Sequence, residues 1–260
     1  MSVLILVVLS FLPCGLFAAA GVSRRWFTFR GALASCLASM AAVFAALALS
    51  RLLAIPSRLL IDAVSWEIPR LPGLIEAVYS SFAMTAFAEE AARLGVFVAL
   101  GTLAGPVLFP SATDSGDGGR DGLARDVPGY DPLAFNRSLL ARAALFGLAF
   151  AAFEGVSYGM ALPRSVFVRM VTAVPVHALA SVCGVSAWAV SRARTRVRAG
   201  KVVRRGFAVA CLLHGLFSFV LLVGPLRIGA AFIPVALAAL ALLFLAARAC
   251  WRAATAAERR

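Results

Sequence analysis

The chain has 260 residues, of which 62% are hydrophobic and only 14% are charged, and its mean hydropathy is +0.93. Soluble globular proteins carry about 25% charged residues, so this composition excludes that class and predicts an integral membrane protein. The formal net charge of +13 does not indicate nucleic acid binding, because the basic residues are concentrated in the loops between apolar stretches.

Seven apolar stretches follow one another, each near or above the roughly 18–20 residues that cross a hydrocarbon core of about 30 Å. They cover residues 3–20, 32–55, 72–104, 139–161, 165–190, 206–224 and 229–248. We therefore expect an all-α fold, a polytopic membrane helical bundle of about seven transmembrane helices. The third stretch is long enough to tilt or break.

The arginines and lysines predict the orientation of the chain. The segments after spans one, three, five and seven hold 18 of the 25 basic residues. Because basic loops stay in the cytoplasm, the N-terminus is expected outside and the C-terminus inside. The first span lacks a basic segment before it and is expected to remain as a helix. The sequence thus predicts a multi-pass protein of the cell membrane, with anionic lipid head groups as partners and no nucleic acid.

Residues 1–260 are expected to form a single membrane domain. Its core spans residues 72–225, a flexible cytoplasmic loop covers residues 105–137, and residues 249–260 form a basic cytoplasmic tail. The five cysteines are scattered without a C-x-x-C pair, which favours buried small residues over metal or disulfide roles.

The third span contains two acids and an arginine, although a charge at the bilayer centre costs about 2.5–3.5 kcal/mol on insertion scales. In a helix, Glu89 and Arg93 lie four residues apart on one face, while Glu90 is turned about 100° away. One interpretation is a structural ion pair between Glu89 and Arg93, with Glu90 as a further acid. The other interpretation is a functional site.

Three later spans each bring one more ionisable residue. Glu154 follows Phe150 by four residues, and the chain's two histidines, His177 and His214, are each followed four residues later by a serine. The two serines are Ser181 and Ser218.

The ionisable residues of these spans share a predicted depth in the membrane. Counted from the predicted cytoplasmic boundaries, Glu89, Glu154, His177 and His214 lie roughly 14–24 Å below the cytoplasmic face, near the middle of the core. Two helices with glutamates and two with histidines therefore predict one polar site.

Carboxylates and imidazoles in a wet pocket suit the hydrolysis of a peptide bond, since a glutamate can take a proton from water and an imidazole can bind a metal or polarise a carbonyl. No H-E-x-x-H is present, which excludes the usual two-histidine zinc helix. A proton-coupled transporter or channel is an alternative, because buried acids and histidines also serve proton transfer. A non-catalytic membrane scaffold is a third.

Four motifs resemble those of the PrsW family of intramembrane proteases, which is distantly related to the CAAX prenyl endopeptidases and the bacteriocin-processing membrane proteases. They are Glu89-Glu90-x-x-Arg93, Phe150-x-x-x-Glu154, Arg169 followed by His177 and Gly184, and His214-Gly-Leu-Phe-Ser218. Their order and placement agree over residues 75–225.

The resemblance implies a membrane-embedded peptidase of the glutamate type or the metallo type that acts on membrane protein substrates. It assigns the catalytic roles to Glu89, Glu90, Glu154, His177 and His214. Metal ligands would come from Glu154, His177 and His214, with Zn²⁺ as the candidate cofactor, but a metal-free mechanism stays open.

Four more residues are expected to support the substrate or the catalytic groups. They are Arg93, Phe150, Ser181 and Ser218. Two of these depart from the family pattern, which usually has lysine at the position of Arg93 and asparagine at that of Ser218.

Overall fold

The computed structural model describes residues 2–65, 71–103, 132–161, 169–170, 172–192 and 196–227, together with single positions between 238 and 252. Within these ranges the chain is almost entirely helical and contains no β-strand. The all-α prediction is confirmed for this part of the protein.

The helices follow the predicted apolar stretches. They are α1 (Val3–Ser23), α2 (Phe29–Ser65), α3 (Leu71–Tyr79), a π-helical segment (Ser80–Phe87), α4 (Ala88–Leu103), α5 (Pro132–Ala161), α6 (Ala173–Arg192) and α7 (Arg196–Arg227).

Polar side chains cap the N-termini of the first two helices. The hydroxyl of Ser2 accepts a hydrogen bond from the backbone N–H of Ile5 at 3.3 Å, which caps α1. Arg25 adopts a positive φ of 56° in the short turn that follows. Thr28 then accepts from the N–H of Gly31 at 3.1 Å and caps α2.

Helix α5 is central to the bundle. It packs against α1 on one side, α2 on another and α6 on a third, and α6 packs in turn against α7. The contact with α2 includes the hydroxyl of Ser39, which donates to the carbonyl oxygen of Phe146 at 2.8 Å. In a bilayer, such close approach of small and polar residues replaces the hydrophobic driving force available in water.

Alanines line the face of α2 that meets α4 and α5. They are Ala38, Ala42 and Ala46, and all three are buried. The other side of α2 exposes large apolar residues, including Phe44, Leu47 and Leu52. This division is typical of a helix with one face toward protein and the other toward lipid.

Four of the described helices are long and apolar enough to cross a membrane. The qualifying segments are Val3–Ser23, Phe29–Pro56, Ser138–Ala161 and Gly200–Leu222. Ala173–Trp188 is apolar but shorter. Among the described residues four of the seven predicted spans therefore meet these criteria, and the seventh, over residues 229–248, lies largely outside the described ranges.

The third predicted span changes helix type along its length. Residues 71–103 are continuously helical, but the eight residues Ser80–Phe87 form a π-helix between α3 and α4. Two hydrogen bonds from side chains tie this region to α2. Ser50 Oγ donates to the carbonyl oxygen of Met84 at 2.6 Å, and Tyr79 Oη donates to that of Leu53 at 2.9 Å.

The predicted cytoplasmic loop at 105–137 lies outside the described residues up to residue 131, and α5 begins at Pro132 within its final part. The basic tail at 249–260 likewise falls almost entirely outside. The predicted orientation, with the N-terminus outside and the C-terminus inside, stays a prediction.

Candidate active site

Four helices bring the predicted ionisable residues together. Glu89 and Glu90 lie in the first turn of α4, immediately after the π-helical segment, and Glu154 lies in the second half of α5. His177 lies near the start of α6 and His214 in the middle of α7. Both histidines and both α4 glutamates are buried.

The π-helical segment sets how α4 approaches α7. A Cβ added at Gly215, next to His214, would collide with the ring of Phe82. The glycine therefore permits close contact between the π-helical segment and α7. Because a π-helix rotates the following residues relative to an α-helix, it also changes the direction in which Glu89 and Glu90 project.

The two histidines and Glu89 form the centre of the site. Glu89 Oε2 lies 3.5 Å from His177 Nδ1 and 3.8 Å from His214 Nε2. The imidazole rings are nearly perpendicular, with centroids 5.0 Å apart. Glu89 Oε2 and His177 Nδ1 are buried and have no hydrogen-bond partner among the described residues. Buried polar atoms without partners are costly, which points to a cation, a water or a substrate at this position.

The remaining ring nitrogen of each histidine faces its own carboxylate. His177 Nε2 lies 2.8 Å from Glu154 Oε2, and His214 Nδ1 lies 2.9 Å from Glu90 Oε1. A carboxylate only accepts hydrogen bonds, so the hydrogen bond with Glu90 favours a proton on His214 Nδ1 and leaves a lone pair on Nε2 toward Glu89. Glu154 Oε2 is close to His177 Nε2, but it has no hydrogen-bond partner among the described residues.

Arg93 holds the site from its buried side. Its Nη2 forms an ion pair with Glu90 and lies 3.2 Å from His214 Nδ1. Its Nη1 donates to the carbonyl oxygen of His177 at 2.9 Å and to Ser181 Oγ at 3.3 Å. One guanidinium thus links α4, α6 and α7, which a single ammonium group could not do with the same planar geometry.

Phe150 and Ser181 are also in contact with this group. The guanidinium carbon of Arg93 lies 4.8 Å from the centre of the Phe150 ring, which itself lies 5.4 Å from the His177 ring. Ser218 is different. It is half-buried one turn after His214 and makes no hydrogen bond to the site within the described part of the chain.

Arg169 is a neighbour that the predicted set of site residues omits. Its Nη2 lies 2.6 Å from Glu154 Oε2, and its guanidinium carbon lies 4.0 Å from the centre of the Tyr158 ring. The signal available in the sequence was its place in the third motif, eight residues before His177. It precedes α6, so helical periodicity could not indicate its direction.

The site opens toward Arg169. The side chains of Glu89, Glu154 and Arg169 are 12%, 15% and 21% exposed, whereas those of Glu90, Arg93, His177 and His214 are 4% exposed or less. Exposure of the site is therefore greatest around Glu154 and Arg169. On the other side, a small cavity is lined by Arg93, Phe97 and Ser181.

The central atoms fit a metal ion. Glu89, His177 and His214 offer ligand atoms that all lie within 4.8 Å of one another. Two ligands bound tetrahedrally to Zn²⁺ at about 2.0–2.1 Å are about 3.4 Å apart, close to the 3.5 Å and 3.8 Å that separate Glu89 Oε2 from the two histidine nitrogens. Glu154 and Glu90 behind the two imidazoles match the carboxylate–histidine pairs that orient zinc ligands. The candidate metal ligands predicted from the sequence included Glu154 instead of Glu89.

A helical membrane protein with a buried cluster of carboxylates and imidazoles belongs among the candidates for intramembrane hydrolases. Residues 139–247 match the family model described as PrsW family intramembrane metalloprotease. The match supports the predicted resemblance over these residues. They include Glu154, His177 and His214, while the Glu89-Glu90 motif lies before them. No curated protein and no solved structure matches the chain.

Proposed function

We propose that the protein is an intramembrane endopeptidase that hydrolyses peptide bonds of membrane protein substrates with water activated at the glutamate–histidine site. One observation carries this proposal. Glu89 Oε2, His177 Nδ1 and His214 Nε2 converge, and the first two have no hydrogen-bond partner among the described residues. The location in the cell membrane, with several passes, belongs to the same proposal.

Glu89 is the carboxylate best placed to take the proton of the attacking water. Glu90 forms the closer ion pair with Arg93 and contacts His214, and Glu154 is paired with Arg169 and contacts His177. Glu89 is engaged less closely, because its Oε2 lies 3.9 Å from Arg93 Nη2. A carboxylate already engaged by a guanidinium is a poorer base. Glu89 then returns the proton to the amine that leaves when the peptide bond breaks.

Glu90 and Glu154 act by orienting the histidines. Each faces the ring nitrogen that points away from Glu89, at 2.9 Å and 2.8 Å respectively. This holds both rings with their free nitrogens toward the centre. Hydrolysis needs such fixed geometry, because misplacement by about 1 Å can cost roughly 100-fold in rate.

We further propose that Glu89, His177 and His214 can hold Zn²⁺, in which case Glu89 would be a ligand and the ion, instead of Glu89, would activate the water. A bound ion would supply a Lewis acid for the scissile carbonyl and for the attacking water. On this proposal the peptidase would be of the metallo type.

The experiment compares new peptide termini in membranes from cells that express the wild type or one variant, read by mass spectrometry. Glu89→Gln and His214→Ala should abolish termini that the wild type generates. Glu76→Gln is the matched control, because Glu76 is exposed on α3 in the same continuous helical stretch. Unchanged termini in Glu89→Gln would overturn the proposal. Proton flux in liposomes without any cleavage would favour the transporter alternative.

A further inference from the structure

A membrane-spanning substrate has to unwind before one of its peptide bonds can be hydrolysed. In an intact helix the backbone carbonyls accept hydrogen bonds within the helix, and unwinding releases them. A released carbonyl in a water-poor site is costly unless it finds a donor. A site that cleaves such substrates therefore needs hydrogen-bond donors for the substrate backbone.

Arg93 is not available for this purpose. Its Nε donates to the carbonyl oxygen of Glu89, and its Nη1 donates to the carbonyl oxygen of His177 and to Ser181 Oγ. Its Nη2 is paired with Glu90, and the side chain is 2% exposed. All three nitrogens of this guanidinium are thus engaged by the protein itself.

Arg169 has a donor to spare. Its Nε is buried and has no hydrogen-bond partner among the residues that the structure describes. Its Nη2 lies 2.6 Å from Glu154 Oε2 and forms an ion pair. A buried donor without a partner is costly, and an acceptor that binds there removes the cost.

Arg169 also lies where a substrate can reach it. Its side chain is 21% exposed, more than those of the glutamates and histidines of the site. The guanidinium carbon lies 4.0 Å from the centre of the Tyr158 ring, within the range of a cation–π interaction. Tyr158 is itself 47% exposed. The ring therefore supports the guanidinium at the entrance of the site.

We propose that Arg169 binds a backbone carbonyl of the unwound substrate at the entrance of the site. The inference rests on the proposed function and adds a substrate-binding residue to it. The ligand is a neutral carbonyl and not an acidic side chain, because a second carboxylate would be repelled by Glu154.

The carbonyl at Arg169 belongs to a neighbour of the cleaved bond. Glu154 Oε2, the partner of Arg169, lies 2.8 Å from His177 Nε2, whereas Glu89 Oε2 lies 3.5 Å from Nδ1 of the same ring. The imidazole thus separates Arg169 from the place of water attack beside Glu89. An extended chain advances about 3.3 Å per residue, so the bound carbonyl lies about one to three residues from the cleaved bond.

Steady-state kinetics of the full-length protein in detergent test the inference. The substrate is a synthetic peptide that carries the cleavage site found for the wild type in cell membranes. Arg169→Lys keeps a positive charge beside Glu154 but removes the Nε donor. It should raise KM by about tenfold and change kcat by less than about threefold. Arg205→Gln, at an exposed arginine of α7, should change neither.

Peptides with one backbone amide replaced by an ester locate the contact, because an ester carbonyl is a weaker acceptor. The cleaved bond keeps its amide. At one position within about three residues of it, the ester should raise KM several-fold for the wild type and leave KM unchanged for Arg169→Lys. Esters elsewhere should affect both enzymes equally. A residue that only stabilises the fold would not produce such coupling at one position.

Two results would overturn the inference. One is an equal KM for wild type and Arg169→Lys, and the other is equal sensitivity of the two enzymes to esters at every position. If Arg169→Lys does not fold, Tyr158→Leu and Tyr158→Phe replace it. KM should rise several-fold in the leucine variant, which loses the ring, and stay unchanged in the phenylalanine variant. Equal KM values in these two variants would again contradict the role of Arg169.

The outcome separates this inference from the proposed function. Cleavage by the wild type that does not depend on Arg169 contradicts the inference alone. Absence of cleavage by the wild type contradicts the proposed function, and the inference with it.

Discussion

The guanidinium of Arg93 donates a hydrogen bond from Nη1 to the backbone carbonyl oxygen of His177 at 2.9 Å. This contact joins α4 to α6 at the residue that also presents its imidazole to Glu89. Arg93 is 2% exposed and simultaneously pairs with Glu90. The residue thus links the backbone position of one histidine to the carboxylate that faces the other.

Arg93→Met should destabilise the protein strongly. The substitution leaves Glu90 as a buried carboxylate without its guanidinium, and breaking one side of a buried ion pair costs about 3–5 kcal/mol. Arg93→Lys keeps the charge, so it should lose less stability, but the ammonium cannot reproduce the contacts with both Glu90 and the His177 carbonyl. Thermal unfolding in detergent micelles checks the order wild type, lysine, methionine. A methionine variant as stable as the wild type would contradict it.

Gly147→Ala should also destabilise the bundle. A Cβ at Gly147 would collide with the carbonyl oxygen of His177, and forced overpacking of this kind costs about 1–3 kcal/mol. Gly95→Ala is the matched control, because nothing lies within 4 Å of a Cβ at that exposed position of α4. Alanine there should be neutral or stabilising by up to about 1 kcal/mol. Equal stabilities of the two variants would show that α5 and α6 are not in this close contact.

Glu89→Gln and Glu90→Gln should differ although the two residues are neighbours. Glu89 Oε2 has no hydrogen-bond partner among the described residues, so its neutralisation in protein freed of metal by a chelator should leave stability unchanged or raise it while activity is lost. Glu90 neutralises Arg93 and contacts His214, so its neutralisation should lower the melting temperature. Thermal unfolding of both variants, beside the exposed control Glu76→Gln, tests this division. The reverse order of stability would refute it.

The sequence predicted which ionisable residues converge because such side chains are rare in these helices and their predicted depths agree. It did not predict that Glu90 would contact Arg93 and His214 closely while Glu89 lies between the two histidines. That division depends on the π-helical segment, whose hydrogen bonds leave no periodic signal and which is held by contacts with α2 and α7. The role of Arg169 was missed for a related reason, since it lies before α6 and its direction follows from tertiary contacts with Glu154 and Tyr158.

The seven predicted spans rest on composition alone, and the described helices agree with them to different degrees. Helix α1 matches its stretch closely, because uninterrupted apolar sequence leaves few other possibilities in a bilayer. Helix α2 covers its stretch of residues 32–55 but continues to Ser65. Helix α6 begins at Ala173, although the apolar stretch begins at residue 165. Residues 162–168 between α5 and α6 lie outside the described ranges.

Metal analysis should find about one Zn²⁺ for each chain after purification without chelators. Ala substitutions of Glu89, His177 or His214 remove one of the three ligand atoms that converge and should abolish stoichiometric binding. Glu154→Gln should retain the metal with an affinity lower by about 10–100-fold, as expected of a carboxylate behind a ligand. Equal affinity in wild type and His177→Ala, measured by competition with a chromogenic chelator, would contradict the ligand set.

Cys14 and Cys36 provide a test of the pairing of α1 with α2. Their sulfur atoms lie 3.9 Å apart, so a small movement brings them to the bond length of about 2.05 Å. Treatment with copper phenanthroline should form an intramolecular disulfide, detected by mass spectrometry of the digested protein. Cys36→Ser should abolish that species. Failure of the wild type to form it would contradict the described contact.

The central claim is that carboxylates and imidazoles from separate helices act as one hydrolytic unit. Groups that act as a unit show strongly non-additive losses. The decisive measurement is the rate of cleavage of one membrane peptide by the single variants Glu89→Gln, His177→Ala and His214→Ala and by the triple variant. We expect each single variant to lose about 1,000-fold or more and the triple variant to lose no more than the worst single one. Near wild-type cleavage by any single variant, or losses that multiply in the triple variant, would contradict a shared site.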